Sequence, residues 1–234
     1  MIYKRILLKL SGESLAGTNG NGISADKLLE YAEQIKAVAD TGCQTGIVIG
    51  GGNIFRGVQG TALGIDRIQG DYMGMMATVI NSMALQNALQ KSGAKCEILS
   101  ALPIDPIACK MSSRRAVELL EAGNVVIMAG GTGSPFFTTD SGAALRAAEI
   151  HADVLLKGTR VDGIYSADPE KSTAAVKFDT LTFDDCLQKN LRVMDMTAFT
   201  LCHENSITLH VFNMDVVGNL QKVVAGENIG TVVK

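Results

Sequence analysis

Short apolar runs alternate along the chain with longer stretches in which apolar residues recur at helical spacing. Strands are predicted at residues 6–10, 45–49, 96–99, 125–129, 154–157, 208–212 and 231–233. Helices are predicted at residues 25–40, 71–91, 113–121, 141–150, 183–189, 197–205 and 218–224. Continuous apolar strands separated by helices are typical of a parallel sheet that is covered on both faces. The pattern therefore predicts an α/β fold.

The alternation breaks once, after the fifth predicted strand. Residues 158–177 contain Asp168-Pro169 and several small residues, and they lack helical periodicity. A connection of this length inside a compact protein is usually functional, so we expect a long functional loop here. Elsewhere the chain has no linker composition and no repeat of fixed period. We therefore expect a single domain over residues 1–234.

Composition limits the kinds of binding partner and the cellular compartment that we expect. A formal net charge of −3 argues against nucleic acid and anionic membranes, because both repel an acidic protein. Lys4, Arg5 and Lys9 interrupt the apolar run that a signal peptide needs, and no apolar run is long enough to span a membrane. The five cysteines are scattered, without metal-site spacing, and are predicted to be buried thiols in a reducing compartment. We expect a cytoplasmic protein.

Three of the predicted strands end in glycine-rich turns. These turns read Ser11-Gly12-Glu13-Ser14, Gly50-Gly51-Gly52-Asn53 and Gly130-Gly131-Thr132-Gly133-Ser134. Glycines let backbone N–H groups converge on an anion, and a following helix N-terminus adds partial positive charge. For one such turn alone, the steric explanation as a tight strand-to-helix connection is the stronger one. Three of them at one edge of a sheet predict a ligand with several phosphates, or two phosphorylated ligands that face each other.

Two cations accompany these turns. Lys9 ends the first predicted strand, and Arg56 follows the triple glycine by four residues. Either could neutralise phosphate oxygens, lysine as a point charge and arginine as a fork; the alternative is a solvated surface role. The chain has no Gly-Lys dipeptide and no His-Arg-Asp or Asp-Phe-Gly motif. These absences exclude the P-loop enzymes and the protein kinases by motif.

Six separated motifs occur in order along the whole chain. They are KLSGE at 9–13, GGGNIFRG at 50–57, GDYMGMMATVIN at 70–81, GTGSPFFTTD at 131–140, VDGIYSADP at 161–169 and VMDMTAFTL at 193–201. Together they resemble the bacterial uridylate kinases of the amino acid kinase family. The resemblance implies a three-layer αβα sandwich with a mostly parallel central sheet. It also implies Mg²⁺-dependent transfer of the γ-phosphoryl group of ATP to UMP, giving ADP and UDP for pyrimidine nucleotide biosynthesis.

The resemblance further implies roles for individual residues. The implied ATP contacts are Lys9, Leu10, Ser11, Gly12, Gly52, Arg56, Thr159, Arg160, Tyr165 and Asp168. The implied UMP contacts are Gly51, Asp71, Thr132, Gly133, Ser134, Pro135, Phe136, Phe137, Thr138 and Thr139. The implied catalytic residues are Lys9, Arg56, Asp140 and Asp195.

The carboxylates among these residues need their own justification, because a bare carboxylate repels phosphate. Asp140 and Asp195 would be tolerated if they bind Mg²⁺, directly or through water, or if they hold Lys9 in place. Either could instead cap the helix that follows it. Asp71 is predicted to open a long helix, where it complements the helix dipole, and it could also accept hydrogen bonds from ribose hydroxyls.

Two further features concern assembly and regulation. The methionines at positions 73, 75, 76 and 83 are predicted to pack in the core or at a subunit interface, and the resemblance implies a homohexamer. The glycine-rich loop consists of Gly17, Thr18, Asn19, Gly20, Asn21 and Gly22. It is either a flexible connector or, by the resemblance, part of a site for GTP as activator, with UTP as inhibitor.

Two other functions remain open at this stage. One is a different enzyme of the amino acid kinase family that phosphorylates a carboxylate, carbamate or phosphonate; the FFTTD run at 136–140 and the region of Asp71 argue against it. The other is a non-catalytic nucleotide-sensing protein of the same fold. The presence of Lys9, Arg56 and Asp140 argues against that alternative.

Overall fold

A computed structural model of the chain describes residues 1–17, 20–56, 64–169, 171–172, 174–191 and 193–234. The strands are β1 (Arg5–Leu10), β2 (Gln44–Ile49), β3 (Cys96–Ser100), β4 (Cys109–Lys110), β5 (Val125–Ala129), β6 (Val154–Thr159), β7 (Ile164–Tyr165), β8 (Lys177–Phe178), β9 (Thr180–Leu181), β10 (Thr208–Asn213) and β11 (Thr231–Val233). The helices are α1 (Gly12–Leu15), α2 (Ala25–Ala39), α3 (Arg67–Lys91), α4 (Ser113–Glu121), α5 (Thr139–Glu149), α6 (Phe183–Gln188), α7 (Met196–Glu204) and α8 (Asn219–Ala225).

The described strands form one large sheet and one small hairpin. The large sheet has the order β4-β3-β5-β2-β1-β6-β10-β11-β9, and the hairpin pairs β7 with β8. Within the large sheet the neighbours run parallel, apart from the antiparallel pair β10 and β11. The predicted, mostly parallel central sheet is confirmed.

Helices cover both faces of this sheet. The side chains of α2, α3 and α8 pack with one buried apolar cluster, and those of α4, α5, α6 and α7 pack with a second. Two helical layers on one parallel sheet make the three-layer αβα sandwich that the resemblance implies. The prediction of the fold class is confirmed.

The direction of Lys9 follows from the alternation of side chains along β1. Ile6, Leu8 and Leu10 belong to the first cluster, whereas Leu7 belongs to the second. Because successive side chains of a strand point to opposite faces, Lys9 points to the same face as Leu7. The ammonium group at the end of β1 is therefore directed towards the layer that contains α5 and α7.

The start of α3 differs from the prediction. The N-cap is Asp66, whose carboxylate accepts hydrogen bonds from the backbone N–H groups of Ile68 at 2.9 Å and Gln69 at 3.1 Å. The prediction that Asp71 opens this helix is wrong, since Asp71 lies in its second turn. Both aspartates are good N-cap residues, and Asp66 is the one whose side chain reaches the free N–H groups.

The stretch 158–177 is structured differently from a single open loop. Among its described residues there is no helix, as predicted. However, β6 continues to Thr159, and β7 pairs with β8 through the registers Ile164 with Phe178 and Tyr165 with Lys177. Strands of two residues, such as β4, β7, β8 and β9, carry no readable periodicity, so the sequence pattern did not predict them.

The cysteines are all free, but they are not all buried. Cys43, Cys96, Cys186 and Cys202 are buried, whereas Cys109 is exposed. The prediction of burial is wrong for Cys109, because this residue lies in β4, a strand of two residues at the edge of the sheet. In the described part of the chain, no helix combines the length and the apolar character that a membrane crossing requires.

Candidate active site

The glycine-rich turns lie at the carboxyl ends of adjacent strands. The strands β5, β2, β1 and β6 are neighbours in this order and run parallel, so their ends open at one edge of the sheet. This is the edge where open α/β sheets bind ligands. The prediction that the three turns meet at one edge is confirmed.

Two of the glycines are required by close backbone contacts. A Cβ atom on Gly12 would lie 2.5 Å from the carbonyl oxygen of Gly50, and one on Gly51 would lie 2.7 Å from the carbonyl oxygen of Gly74. Both distances are shorter than any carbon side chain tolerates. The first turn therefore packs against the second, and the second packs against α3.

Two lysines and one aspartate form a cluster at the centre of this edge. Lys9 and Lys157 are register partners on the neighbouring strands β1 and β6. The Nζ atom of Lys9 lies 2.8 Å from Oδ1 of Asp140, and the Nζ atom of Lys157 lies 2.8 Å from Oδ2 of the same carboxylate. Lys157 also donates a hydrogen bond to the carbonyl oxygen of Val193 at 2.5 Å. We call Lys9, Asp140 and Lys157 the lysine cluster.

Lys157 was not identified by sequence reasoning. A signal was present, because β1 reads RILLKL and β6 reads VLLKGT, so that each apolar strand reaches a lysine after two leucines. The spacing alone could not show that these lysines are neighbours, since that depends on the register between two strands far apart in the chain.

The electrostatics of the cluster follow from burial and from charge. Burial raises the pKa of Asp140, but the ammonium groups of Lys9 and Lys157 outweigh burial and hold that pKa below its ordinary value of 3.8. Burial lowers the pKa of Lys157 below 10.5, and Asp140 opposes this shift without cancelling it. With both lysines protonated, the cluster carries one excess positive charge at a partly buried position. Such a position attracts phosphate oxygens.

The N-termini of α5 and α7 are joined next to the lysine cluster. Thr138 is the N-cap of α5, and its Oγ1 accepts hydrogen bonds from the N–H groups of Asp140 and Ser141, each at 3.1 Å. The prediction that Asp140 caps this helix is therefore wrong; Asp140 lies in the first turn. Asp195 is the N-cap of α7, accepts from the N–H of Ala198 at 3.0 Å and from Oγ of Ser141 at 2.9 Å, and also accepts from Oγ1 of Thr138.

One set of predicted nucleotide contacts lines two neighbouring cavities beyond β6, which share Lys157 and Thr159. The larger cavity, of about 620 Å³, is lined by Thr159, Tyr165 and Asp168, and also by Lys157. The smaller, of about 200 Å³, contains Lys9, Ser11, Lys157, Thr159 and Arg160. We call these two spaces together the donor cavity. Leu10 is fully buried in the core, so only its backbone could serve a ligand here.

A second cavity, which we call the acceptor cavity, lies on the other side of the lysine cluster. It has a volume of about 500 Å³ and is lined by Gly51, Gly52, Arg56, Arg67, Asp71, Thr132, Phe137, Thr138 and Thr139, among others. Gly133, Ser134, Pro135 and Phe136 belong to the same loop but do not line it. A small space of about 260 Å³ is lined by Lys9, Thr138, Thr139, Asp140 and Asp195. It shares Thr138 and Thr139 with the acceptor cavity and Lys9 with the donor cavity.

Asp71 is held in place at the wall of the acceptor cavity. Nε of Arg67 contacts both carboxylate oxygens of Asp71 at 2.9 Å, and the backbone N–H of Phe136 donates to Oδ2 at 2.8 Å. Phe136 has a φ of 73°. Phe136 is 65% exposed, and Phe137 is 49% exposed. Sequence reasoning missed Arg67, although its spacing of four residues from Asp71 on one helix was a readable signal.

Arg56 lines the acceptor cavity and also a further space beside the glycine-rich loop. Arg56 pairs with Glu13, and its Nε donates to the carbonyl oxygen of Gly52 at 3.4 Å. A space of about 390 Å³ is lined by Arg56, Gly17 and Gly20 together with Glu13, Ser14, Lys27, Gly52, Arg160 and Asp215. Gly17, Gly20 and Gly22 have positive φ angles, and Asn21 is exposed. Thr18 and Asn19, which were assigned to the same loop, lie outside the described residues.

The fold and the site together indicate a class of protein. They describe an αβα sandwich in which a lysine-rich centre lies next to two cavities, an arrangement that is suited to phosphoryl transfer. The model of the amino acid kinase family matches residues 4–213. The uridylate kinases of Parabacteroides distasonis and Bacteroides thetaiotaomicron are 60% and 58% identical over 231 residues, which cover 99% of this chain and 98% of each relative.

Solved structures agree with this result. The UMP kinase of Bacillus anthracis has a TM-score of 0.96 at 37% identity and covers 99% of this chain and 96% of its own. The UMP kinase of Ureaplasma parvum has a TM-score of 0.94 at 40% identity, with full coverage of both chains. The chain therefore belongs to the amino acid kinase family and, within it, to the uridylate kinases.

Proposed function

We propose that this chain is a nucleoside monophosphate kinase that transfers the γ-phosphoryl group of ATP to UMP and releases ADP and UDP. The observation that carries the proposal is the lysine cluster, which lies between the donor cavity and the acceptor cavity. Kinship with the uridylate kinases supports the choice of uridine as the acceptor base. The donor cavity would hold ATP, and the acceptor cavity would hold UMP.

The mechanism consists mainly of positioning and charge neutralisation. ATP would place its phosphates over the Ser11-Gly12 turn, within reach of Lys9, Lys157 and Arg56. The UMP phosphate would approach from the acceptor cavity, between Gly51 and the wall formed by residues 132–139. Phosphoryl transfer through a loose transition state needs alignment of the two ligands and cations at the equatorial oxygens. Asp140 would keep the two ammonium groups aimed at that point.

Recognition of the UMP nucleoside is assigned to the far end of the acceptor cavity. Asp71, fixed by Arg67 and by the N–H of Phe136, would accept hydrogen bonds from ribose hydroxyls. The left-handed backbone at Phe136 turns the chain so that the loop 132–139 can enclose the base. In the donor cavity, Thr159, Tyr165 and Asp168 would surround the base and ribose of ATP.

The carboxylates do not fit a direct Mg²⁺ site. Both oxygens of Asp140 face lysines, and both oxygens of Asp195 accept hydrogen bonds from Thr138, Ser141 and Ala198. Among the described residues, no group of three or more His, Cys, Asp or Glu side chains could hold a metal ion. Dependence on Mg²⁺ stays a prediction, in which the phosphates and water would supply the ligands. The proposed role of Asp140 is therefore to hold Lys9 in place.

The proposed function is tested by the release of ADP. With Mg²⁺ and ATP, we expect rapid ADP release with UMP, and little with CMP, AMP or small carboxylates. A coupled spectrophotometric assay measures this release. A preference for a carboxylate acceptor would favour another activity within the family, and ATP binding without turnover of any acceptor would favour a nucleotide sensor. Absence of ADP release with UMP would overturn the proposal.

We also propose that copies of this chain associate through α3, as a homohexamer. The exposed face of α3 carries apolar side chains at helical spacing, namely those of Ile68, Tyr72, Met73, Met76, Ile80 and Met83. Met75 is buried in the core instead. A contiguous exposed apolar patch of this kind usually marks a protein interface.

The interface proposal predicts the effect of a charge on this face. Ile80→Asp is expected to lower the assembly mass measured by light scattering, because a carboxylate would be buried without a partner at the interface. Leu29→Asp is the matched control, since Leu29 is an exposed leucine on α2, which packs on the same face of the sheet. If Ile80→Asp keeps the mass of the unmodified chain, α3 is not the interface.

Activation by GTP, inhibition by UTP and a cytoplasmic location complete the proposal. They follow from the resemblance and from the sequence composition. The loop 17–22 remains the proposed GTP element, and two of its glycines, Gly17 and Gly20, line the space next to Arg56. The rate of ADP release with and without added GTP or UTP tests both effects.

A further inference from the structure

The inner face of α3 holds the backbone of the glycine-rich turn that follows β5. Thr78 is 5% exposed, and its Oγ1 accepts a hydrogen bond from the backbone N–H of Gly130 at 2.9 Å. The same hydroxyl donates to the carbonyl oxygen of Met75 at 2.6 Å. The hydrogen-bonding capacity of Thr78 is thus directed at backbone, although the residue also lines the acceptor cavity.

The same face of α3 also holds the turn that follows β2. Asn81 is fully buried, and its Nδ2 donates to the carbonyl oxygen of Gly50 at 2.7 Å. Its amide also exchanges two hydrogen bonds with the amide of Asn53, at 2.7 Å and 3.0 Å. The Nδ2 atom of Asn53 donates in turn to the carbonyl oxygen of Gly22 at 2.7 Å. Such a buried amide pair is well satisfied and therefore rigid.

These two anchors lie within one helical turn of each other. Residues three apart on a helix share a face, so Thr78 and Asn81 are neighbours. Each anchored turn leads directly into a wall of the acceptor cavity, one at Gly51 and Gly52, the other at Gly131 and Thr132. The separation between the two walls is therefore set by one turn of α3.

We propose that Thr78 and Asn81 are positioning residues for the phosphoryl acceptor. They act through the backbone of the two turns and set the width of the acceptor cavity where the UMP phosphate enters. This inference rests on the proposed function. The physical reason is that the backbone N–H of Gly130 is buried, so that removing its acceptor moves the turn, and small displacements at a reacting centre reduce rates strongly.

The test is a series of variants at Thr78. Thr78→Val has nearly the same shape but lacks the acceptor oxygen, and Thr78→Ser keeps that oxygen. We expect Thr78→Val to raise KM for UMP by about tenfold or more, because an unsatisfied buried donor costs that much. KM for ATP is expected to change by less than about twofold, and Thr78→Ser is expected to recover most of the loss for UMP.

Ser82→Ala is the matched control for this series. Ser82 is a buried hydroxyl on the same helix, and it donates to the carbonyl oxygen of Thr78 at 2.7 Å, which is a bond within the helix. We expect Ser82→Ala to leave both KM values near those of the unmodified chain. Hydrogen exchange of the Gly130 amide supplies a readout without substrate, and it is expected to accelerate in Thr78→Val alone.

The outcomes separate this inference from the proposed function. If the unmodified chain phosphorylates UMP and Thr78→Val has the same KM for UMP, the inference is overturned while the function stands. Equal increases of KM for UMP and ATP in Thr78→Val, or an increase that Thr78→Ser shares in full, would also overturn it by indicating general destabilisation. If the unmodified chain does not phosphorylate UMP, the proposed function itself is overturned, whatever the rate of hydrogen exchange at the Gly130 amide.

Discussion

Lys9→Ala is expected to reduce kcat by at least about 100-fold at saturating ATP and UMP, because one positioned donor at a developing charge contributes about that much. Lys9 is held by Asp140 at 2.8 Å and lies beside Lys157 between the two cavities. Its alanine variant loses the ammonium group that would contact the transferring phosphoryl group. Steady-state kinetics with both substrates in excess measures the effect.

The control for this prediction is a lysine five residues earlier in the chain, Lys4. Lys4 is exposed and precedes β1, so Lys4→Ala removes the same charge without touching the lysine cluster. We expect Lys4→Ala to keep kcat within about twofold, since isolated surface charges contribute little. Near-normal kcat in Lys9→Ala would remove Lys9 from the proposed chemistry.

Asp140→Asn is expected to lower both stability and activity. The substitution leaves two partly buried ammonium groups, those of Lys9 and Lys157, in register on neighbouring strands without an anion between them. Breaking a buried ion pair by removing one partner typically costs about 3–5 kcal/mol of unfolding free energy. Urea denaturation at neutral pH measures this loss, and kcat is expected to fall because the lysines are no longer aimed at the phosphates.

Asp26→Asn is the control for this prediction. Asp26 is exposed and occupies the same position in the first turn of α2 as Asp140 does in α5. This substitution therefore isolates the helix-dipole contribution, which is below about 1 kcal/mol at an exposed site. The double variant Asp140→Asn with Lys157→Met is expected to regain stability without regaining activity. If Asp140→Asn is no less stable than Asp26→Asn, the carboxylate does not hold the lysines.

The effect of Asp140→Asn should also depend on pH. The pKa of Asp140 is held below its ordinary 3.8, so the folded protein stabilises the charged carboxylate. Its contribution to stability is fully present above the unfolded pKa and is lost as the pH falls through the lower folded pKa. The difference in stability between the unmodified chain and Asp140→Asn is therefore expected to shrink in strong acid.

Much of the fold could be predicted because its signals are local. Apolar runs such as that at residues 6–10 and turn signals such as Gly50-Gly51-Gly52 depend on neighbouring residues, and both are readable without a structure. The start of a helix is harder to predict where two capping residues compete, as Asp66 and Asp71 do at the start of α3. That the chain forms a single domain stays a prediction, as do the individual ligand contacts.

The candidate site could be predicted only in part, for a related reason. Lys9 was found because it stands beside a glycine-rich turn in the chain. Lys157 was missed because it matters through its register with β1, a contact between distant parts of the chain. Arg67 was missed for a local reason, because the helix that carries both Arg67 and Asp71 begins earlier than the predicted start at residue 71. The choice between a metal ligand and a lysine holder for Asp140 likewise needed the positions of both ammonium groups.

The amino-acid sequence by itself determined the α/β class, the glycine-rich turns and the presence of cations next to them, because these depend on interactions between residues close in the chain. The tertiary structure alone decided which residues meet. It brought Lys9 and Lys157 into register around Asp140, and it placed Thr78 of α3 against the backbone of Gly130. Such contacts are set by strand order and helix packing, which join residues far apart in the chain.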